Sequence, residues 1–363
     1  MEEERIKTPK ESAYLRLYRE LRRDIVSGAY AYGARLPSKR ALSLDRGVSV
    51  VTVEHAYTLL CEEGYAESRE RSGYYAAYRE GDTLPGADAP APIVPDGAQL
   101  RSGRVSIPFS VLSRTMRRVL SVYGERILVR SPNNGLFEAR SAIAAYLARS
   151  RGVYVSPEQI VLGAGAEYLY SLVAQLVGSD AVFALESPSY EMIRRVYAAA
   201  GIRTEALPLG PDGILSSALE QSGALVLHVT PFHSFPSGVT ASASKRREYL
   251  RWAEKRGGLI VEDDFDSELT VSTKAEDTVF SLDTAGRVIY MNTFSRTLAP
   301  SMRIGYMVLP EALLEPFNAK LGFYSCSVPV FEQYVLAELL TNGDFERHVN
   351  RVRRSRRRES AEE

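Results

Sequence analysis

The sequence is poor in the residues that staple or metallate a fold, with two cysteines, four histidines and one tryptophan among 363 residues. It also has no excess of charge of either sign, since 45 lysines and arginines balance 45 aspartates and glutamates. Cys61 and Cys326 lie far apart and in no C-x-x-C spacing, which excludes a disulfide scaffold, and both read as reduced thiols. His55, His228, His233 and His348 share no ligand spacing with cysteines or carboxylates, so no metal site is expected. No stretch approaches the roughly 18 uninterrupted apolar residues of a membrane helix, and the opening MEEERIK lacks the apolar core of a secretion signal. The expectation is a cytoplasmic protein with no membrane partner. Balanced charge argues neither for nor against nucleic acid, so any basic surface has to be local.

What is present is ordinary for a globular chain: 45% hydrophobic and 25% charged residues, in a length that suits two or three domains. Residues 1–79 read as one of them. Ser12 is placed to cap a helix carrying Tyr14, Leu17, Tyr18, Leu21 and Ile25 on one face and ending near Gly28. Ser38 caps a short second helix and Gly47 marks a turn. Ser49 then caps a third helix with Val53, Ala56, Tyr57 and Leu60 in apolar register, closed by Gly64. Two short helices about a glycine turn have the form of a helix-turn-helix. The following YAESRERSGYYAAY predicts two short strands about Arg71-Ser72-Gly73, a wing.

In order, L-P-S-x-R, G-V-S, T-V, A-Y-x-x-L and E-G-Y resemble the DNA-binding domain of GntR-type regulators over about 70 residues. The resemblance implies double-stranded DNA as partner, with the third helix in the major groove and the wing near the minor groove. It implies contacts from Arg40, with Lys39, Ser49 and Thr52 on phosphates and Arg71 and Gly73 at the wing tip. Where the family has arginine after G-V-S, this chain has Val50. Residues 1–79 hold 14 lysines and arginines against 12 acids, so motif order rather than charge carries the DNA reading.

Residues 80–104, rich in Pro, Gly, Ala and Asp, read as a linker. Over residues 105–350 strand-like apolar runs alternate with helical patterns, which predicts an α/β domain with a mainly parallel sheet. The run QIVLGAGAEYLYSLVAQLV predicts strand, glycine turn and helix, whose first amides at Ala166 and Glu167 suit a phosphate. In GLIVEDDFDSEL a buried strand, Leu259 to Val261, delivers Glu262, Asp263 and Asp264 to its carboxyl end, where open α/β sheets bind ligands. VIYMNTFSRTLAPSMRIGYMVLP, residues 288–310, places Thr293, Ser295, Arg296 and Arg303 between two apolar runs, a composition that suits an anion.

That last run resembles the cofactor-lysine segment of fold-type I, pyridoxal-phosphate-dependent aminotransferases, in the form T-F-S-K-x-L-x-P-x-x-R-x-G-Y carried by the MocR subfamily of GntR-type regulators. The resemblance implies pyridoxal 5'-phosphate in a site built from the Gly165, Ala166 and Glu167 turn, Tyr190 stacked on the ring, His233 beside it, Asp263 at the pyridine nitrogen, and Thr293, Ser295 and Arg303. The Schiff-base lysine position is Arg296, and a guanidinium protonated to above about pH 12 offers no deprotonatable amine, so no catalytic residue is assigned. Phe265 stands where many relatives have a tyrosine, and Ser234 where the subfamily has glutamine. The resemblance also implies a small C-terminal subdomain, before which the chain stops. Residues 351–363 then read as a basic tail, a solvated face of a truncated helix.

The expected function is a DNA-binding regulator. Its aminotransferase-like domain would sense an amino-acid or pyridoxal-phosphate-like effector, with the cofactor held non-covalently and the chain a homodimer. A working aminotransferase, or a relative keeping the fold without the cofactor, are the alternatives.

Overall fold

The computed structural model describes residues 12–70, 72–79, 107–264, 267–269 and 276–362. The expectations for Arg71, Phe265 and the linker 80–104 lie outside the described residues. The chain divides into two compact units, residues 1–99 and 100–363.

In the first unit, α1 (Ala13–Val26), α2 (Lys39–Arg46) and α3 (Val50–Glu62) precede the hairpin of β1 (Ala66–Arg69) and β2 (Gly73–Ala76). The helix starts are set locally. Ser38 Oγ accepts from Ala41 N at 3.2 Å and Ser49 Oγ from Thr52 N at 3.0 Å, while Gly47 closes α2 in the left-handed region at φ 61°. Ser12 occupies the start of α1 but its side chain makes no cap bond there. Leu17, Leu21 and Ile25 of α1 pack with Leu42, Val53, Ala56, Tyr57, Leu60 and Ala76 in one core. Tyr57 donates to the carbonyl of Pro37 at 2.6 Å and ties α3 to the lead-in of α2.

The second unit is built on an eight-stranded sheet: β3 (Ile160–Gly163), β4 (Val182–Ser187), β5 (Arg203–Gly210), β6 (Gly213–Ile214), β7 (Val226–Val229), β8 (Leu259–Asp263), β9 (Val288–Thr293) and β10 (Gly305–Val308). Its order is β3-β10-β9-β8-β7-β4-β5-β6. The run from β5 through β4, β7 and β8 to β9 is parallel, whereas β10 is antiparallel to both neighbours and β6 to β5. Both faces are covered by helices, so the central strands are continuous apolar runs rather than alternating ones. On β9, Ile289 and Met291 enter the core formed with Leu169, Val173, Ile193 and Phe317, while Tyr290 faces the opposite core with Ile143, Leu336 and Leu339.

The covering helices are α4 (Phe109–Tyr123), α5 (Phe137–Arg151), α6 (Ala166–Val177), α7 (Glu191–Ala199), α8 (Ser216–Gln221), α9 (Ala243–Arg256), α10 (Val279–Leu282), α11 (Leu314–Leu321), α12 (Val330–Thr341) and α13 (Asp344–Glu362). The last runs through residue 350 without a break. It is not merely a solvated basic face: Arg353 Nε donates to the carbonyl of Glu268 at 2.5 Å and Arg356 to that of Leu269 at 3.1 Å. Arginines here supply the donors that irregular backbone near a site lacks.

Candidate functional site

The parallel strands β4, β7, β8 and β9 bring their carboxyl ends to one edge of the sheet, together with the end of β3 and the start of β10. A cavity of about 300 Å³ opens there, lined by Ala166, Glu167, Tyr170, Tyr190, Ile193, Thr230, Phe235, Asp263, Thr293, Ser295, Arg296 and Arg303. Residues spread over 138 positions of sequence thus meet because strand ends converge, the arrangement that makes this edge the binding edge of open α/β sheets.

One wall is the turn from β3 into α6. Gly165 sits at φ 93°, and a Cβ on it would lie 2.7 Å from Nη2 of Arg303. Only glycine lets the arginine lie across the start of α6, where first-turn amides lack partners within the helix. Arg303 is held there by Glu167, 2.6 Å away. The opposite wall is the turn after β9. Thr293 Oγ1 donates to Ile304 O at 3.2 Å and Ser295 Oγ to Met302 O at 3.3 Å, so in this conformation the two hydroxyls knit the turn together.

The floor is Asp263, buried at the end of β8 and bonded by the hydroxyl of Tyr170. Nε2 of His228 lies 3.9 Å from Asp263 and makes no hydrogen bond, while its Nδ1 is bonded to Tyr197 Oη at 2.7 Å. Behind this floor the neighbouring acids do different work. Glu262 accepts from the amides of Val279 and Phe280 at 2.9 and 2.7 Å and so caps α10, yet burial pushes its carboxyl up to about 8. Asp264 is ion-paired with Arg151 and bonded by Tyr290 at 2.6 Å. Burial works against the charge of Arg151, and Asp264, Tyr290 and Glu268 together more than offset it, raising the guanidinium above its ordinary value. Glu186, beside the site, accepts from Ser234 at 2.6 Å, and burial again pushes it up to about 8.

Of the residues singled out in the sequence, Ala166, Glu167, Tyr190, Asp263, Thr293, Ser295, Arg296 and Arg303 line this one cavity, with Gly165 at its rim. His233 is not among the lining residues. It is exposed at φ 51°, its amide bonded to Thr240 Oγ1 at 3.2 Å. Thr230, three residues earlier and directly after β7, reaches the cavity instead. Tyr170 was also missed. Its signal was its place one turn after Ala166 on the helix that follows the glycine turn, which puts both on the same face.

The residues expected at DNA lie in the first unit. Arg40 is exposed on α2, Lys39 is ion-paired with Glu54 of α3 at 2.7 Å, and Ser49 and Thr52 share a 2.8 Å hydroxyl bond at the start of α3. Gly73 opens β2 at φ 116°, a Cβ there lying 3.5 Å from Arg35 Nε. Among the described residues no group of three or more His, Cys, Asp or Glu could hold a metal ion. No helix among them is long and apolar enough to cross a membrane.

Residues 13–75 match the model of bacterial regulatory proteins, gntR family, and residues 111–362 that of aminotransferase class I and II. The chain is 33% identical over 358 residues to YdeL, an uncharacterized HTH-type transcriptional regulator of Bacillus subtilis (strain 168). That match covers 96% of this chain and 77% of the relative. Identity to PdxR, an HTH-type pyridoxine biosynthesis transcriptional regulator of Corynebacterium glutamicum, is 31% over 352 residues, covering 93% of this chain and 75% of that protein. Among solved structures, an archaeal alanine:glyoxylate aminotransferase superposes with a TM-score of 0.62 at 28% identity, over 67% of this chain and 62% of the enzyme. With a helix-turn-helix head and an aminotransferase-fold body each matched in chain order, this chain belongs to the HTH-type transcriptional regulators of the gntR family that carry an aminotransferase class I and II domain, the MocR type.

Proposed function

We propose that this regulator senses a phosphate-bearing pyridine ligand of the pyridoxal phosphate class, held non-covalently, and adjusts its grip on DNA in response. The observation that carries the reading is the single cavity shared by the Gly165 turn, Arg303, buried Asp263 and Arg296. The group fits what lines it. The α6 amides and Arg303 suit its phosphate, with Thr293 and Ser295 shaping the turn beside them. Tyr190 can cover a ring face, and the buried Asp263 carboxylate, bonded among the described residues only by the neutral hydroxyl of Tyr170, suits a cationic partner such as a pyridinium. When bound, pyridoxal phosphate supplies an aldehyde that captures amines and a ring that withdraws electrons.

This chain's own residues bind and orient rather than react. Arg296 brings a fixed positive charge to the cavity in place of a nucleophilic amine, and among the described residues no lysine lines it. Tyr170 holds Asp263 from behind through its hydroxyl. Exposed Phe109, Leu128, Phe137 and Tyr154 on and around α4 and α5 support a homodimer, in which such apolar surface is covered. That PdxR, a relative of this chain, is a regulator of pyridoxine biosynthesis agrees with a ligand of this class.

Anisotropy titration of the full chain against duplexes from its own upstream region tests the reading. Expected is sequence-selective binding that falls steeply with salt, and that shifts when pyridoxal phosphate is added. Binding with neither sequence preference nor salt dependence, or an affinity indifferent to the ligand, would overturn it.

A further inference from the structure

We propose that the exposed face at the start of α3 reads thymine through its 5-methyl group, with Val50 and Val51 as the specificity-determining residues. The inference rests on the first unit binding duplex DNA. In a helix-turn-helix the first residues of the second helix reach the base edges of the major groove. Here those are Val50 and Val51, 41% and 58% exposed, while Val53, Ala56, Tyr57 and Leu60 on the other side of the same helix are entirely buried. The core is complete without the two valines.

Their chemistry narrows the target. Branching at Cβ lowers helix propensity, and apolar groups left in water gain nothing, so neither valine stabilises the free domain. Neither can donate or accept a hydrogen bond, which removes the contacts that identify guanine, adenine or cytosine. The major-groove feature that an apolar side chain distinguishes is the methyl of thymine. An arginine at residue 50 would select guanine, and Val50 shifts the preference away from it.

The surroundings favour a duplex over a protein partner. Exposed Arg40 on α2 and Arg35 beside the wing supply cations to either side. Glu54, one turn after Val50, is neutralised by Lys39 at 2.7 Å, which offsets its repulsion of phosphates. Two valines ringed by charge are far smaller than the roughly 800 Å² per partner of a stable protein interface.

The test uses the full chain to select sites from a random duplex pool, then replaces each thymine of the selected site singly by deoxyuridine. That change removes the methyl and leaves every hydrogen-bonding group in place. Expected are one or more thymines at which deoxyuridine weakens binding about fourfold, the scale of one buried methylene. The difference should vanish in Val50→Ser or Val51→Ser, whose circular dichroism should match the parent because the positions are exposed. Selective binding indifferent to deoxyuridine at every thymine would overturn the inference and leave the regulator reading standing, as would a penalty that survives in both variants. Failure to bind any duplex would remove both.

Discussion

A guanidinium and a primary amine differ at residue 296 in a way that chemistry can read. Both carry a positive charge into a cavity that holds Asp263, but only the amine can lose a proton and attack an aldehyde. Pyridoxal phosphate added to the natural protein and treated with borohydride should therefore leave no covalent mass on the peptide containing Arg296. The Arg296→Lys variant should gain one reduced pyridoxyl group on the same peptide. The exchange is local: Arg296 is exposed within the cavity, whereas the neighbouring Phe294 and Thr297 are buried, so the fold should survive it. Mass spectrometry of the digested protein checks both halves. A label on the natural peptide, or none on the lysine variant, would show that residue 296 does not occupy the reactive position.

At the scale of elements, local rules were the legible ones. Ser38 and Ser49 could be read as caps because the cap bond spans three residues, and Gly165 as the turn between a strand and a helix because strand, glycines and helix follow in sequence. The acid triplet of β8 could be placed at a strand end, but its sorting into three roles could not. That sorting depends on Tyr170, Arg151 and the start of α10, which are brought in by topology and leave no periodic trace. The arginine-rich α13 shows this most clearly. From sequence it reads as a solvated stripe, yet buried His348 donates from Nε2 to the carbonyl of Thr297 at 2.7 Å, next to Arg296, while Arg351 donates to its Nδ1 at 2.8 Å. Burial lowers the pKa of His348, which favours the neutral ring that this pair of bonds requires. His348→Leu leaves the buried Thr297 carbonyl without that donor, at a cost of about 1–3 kcal/mol. The expected outcomes are a melting transition lowered by several degrees and a weaker grip on pyridoxal phosphate, followed by calorimetry and ligand titration. An unchanged transition would mean that α13 does not brace the turn.

For the whole molecule, one chain carries two compact units with separate cores, one with the features of a DNA-reading head and one with a ligand-sized cavity. Neither unit carries a large net charge, residues 1–99 holding 14 lysines and arginines against 16 acids and residues 100–363 holding 31 against 29. Communication must then be a difference in free energy between states that both ligands bias, and such coupling is reciprocal. If pyridoxal phosphate changes the affinity for a selected duplex by a factor of about ten, saturating duplex must change the affinity for pyridoxal phosphate by the same factor. The four dissociation constants, measured by anisotropy for the duplex and calorimetry for the ligand, should close the cycle to within error. The Arg296→Lys variant adds a covalent contribution to ligand binding, so it should tighten the ligand in both states. It alters the coupling factor only if the lysine bond differs between the DNA-bound and free forms. A coupling factor of one in the natural protein, with both ligands bound, would mean that the cavity holds its ligand without informing the head, and the body would then be a scaffold rather than a sensor.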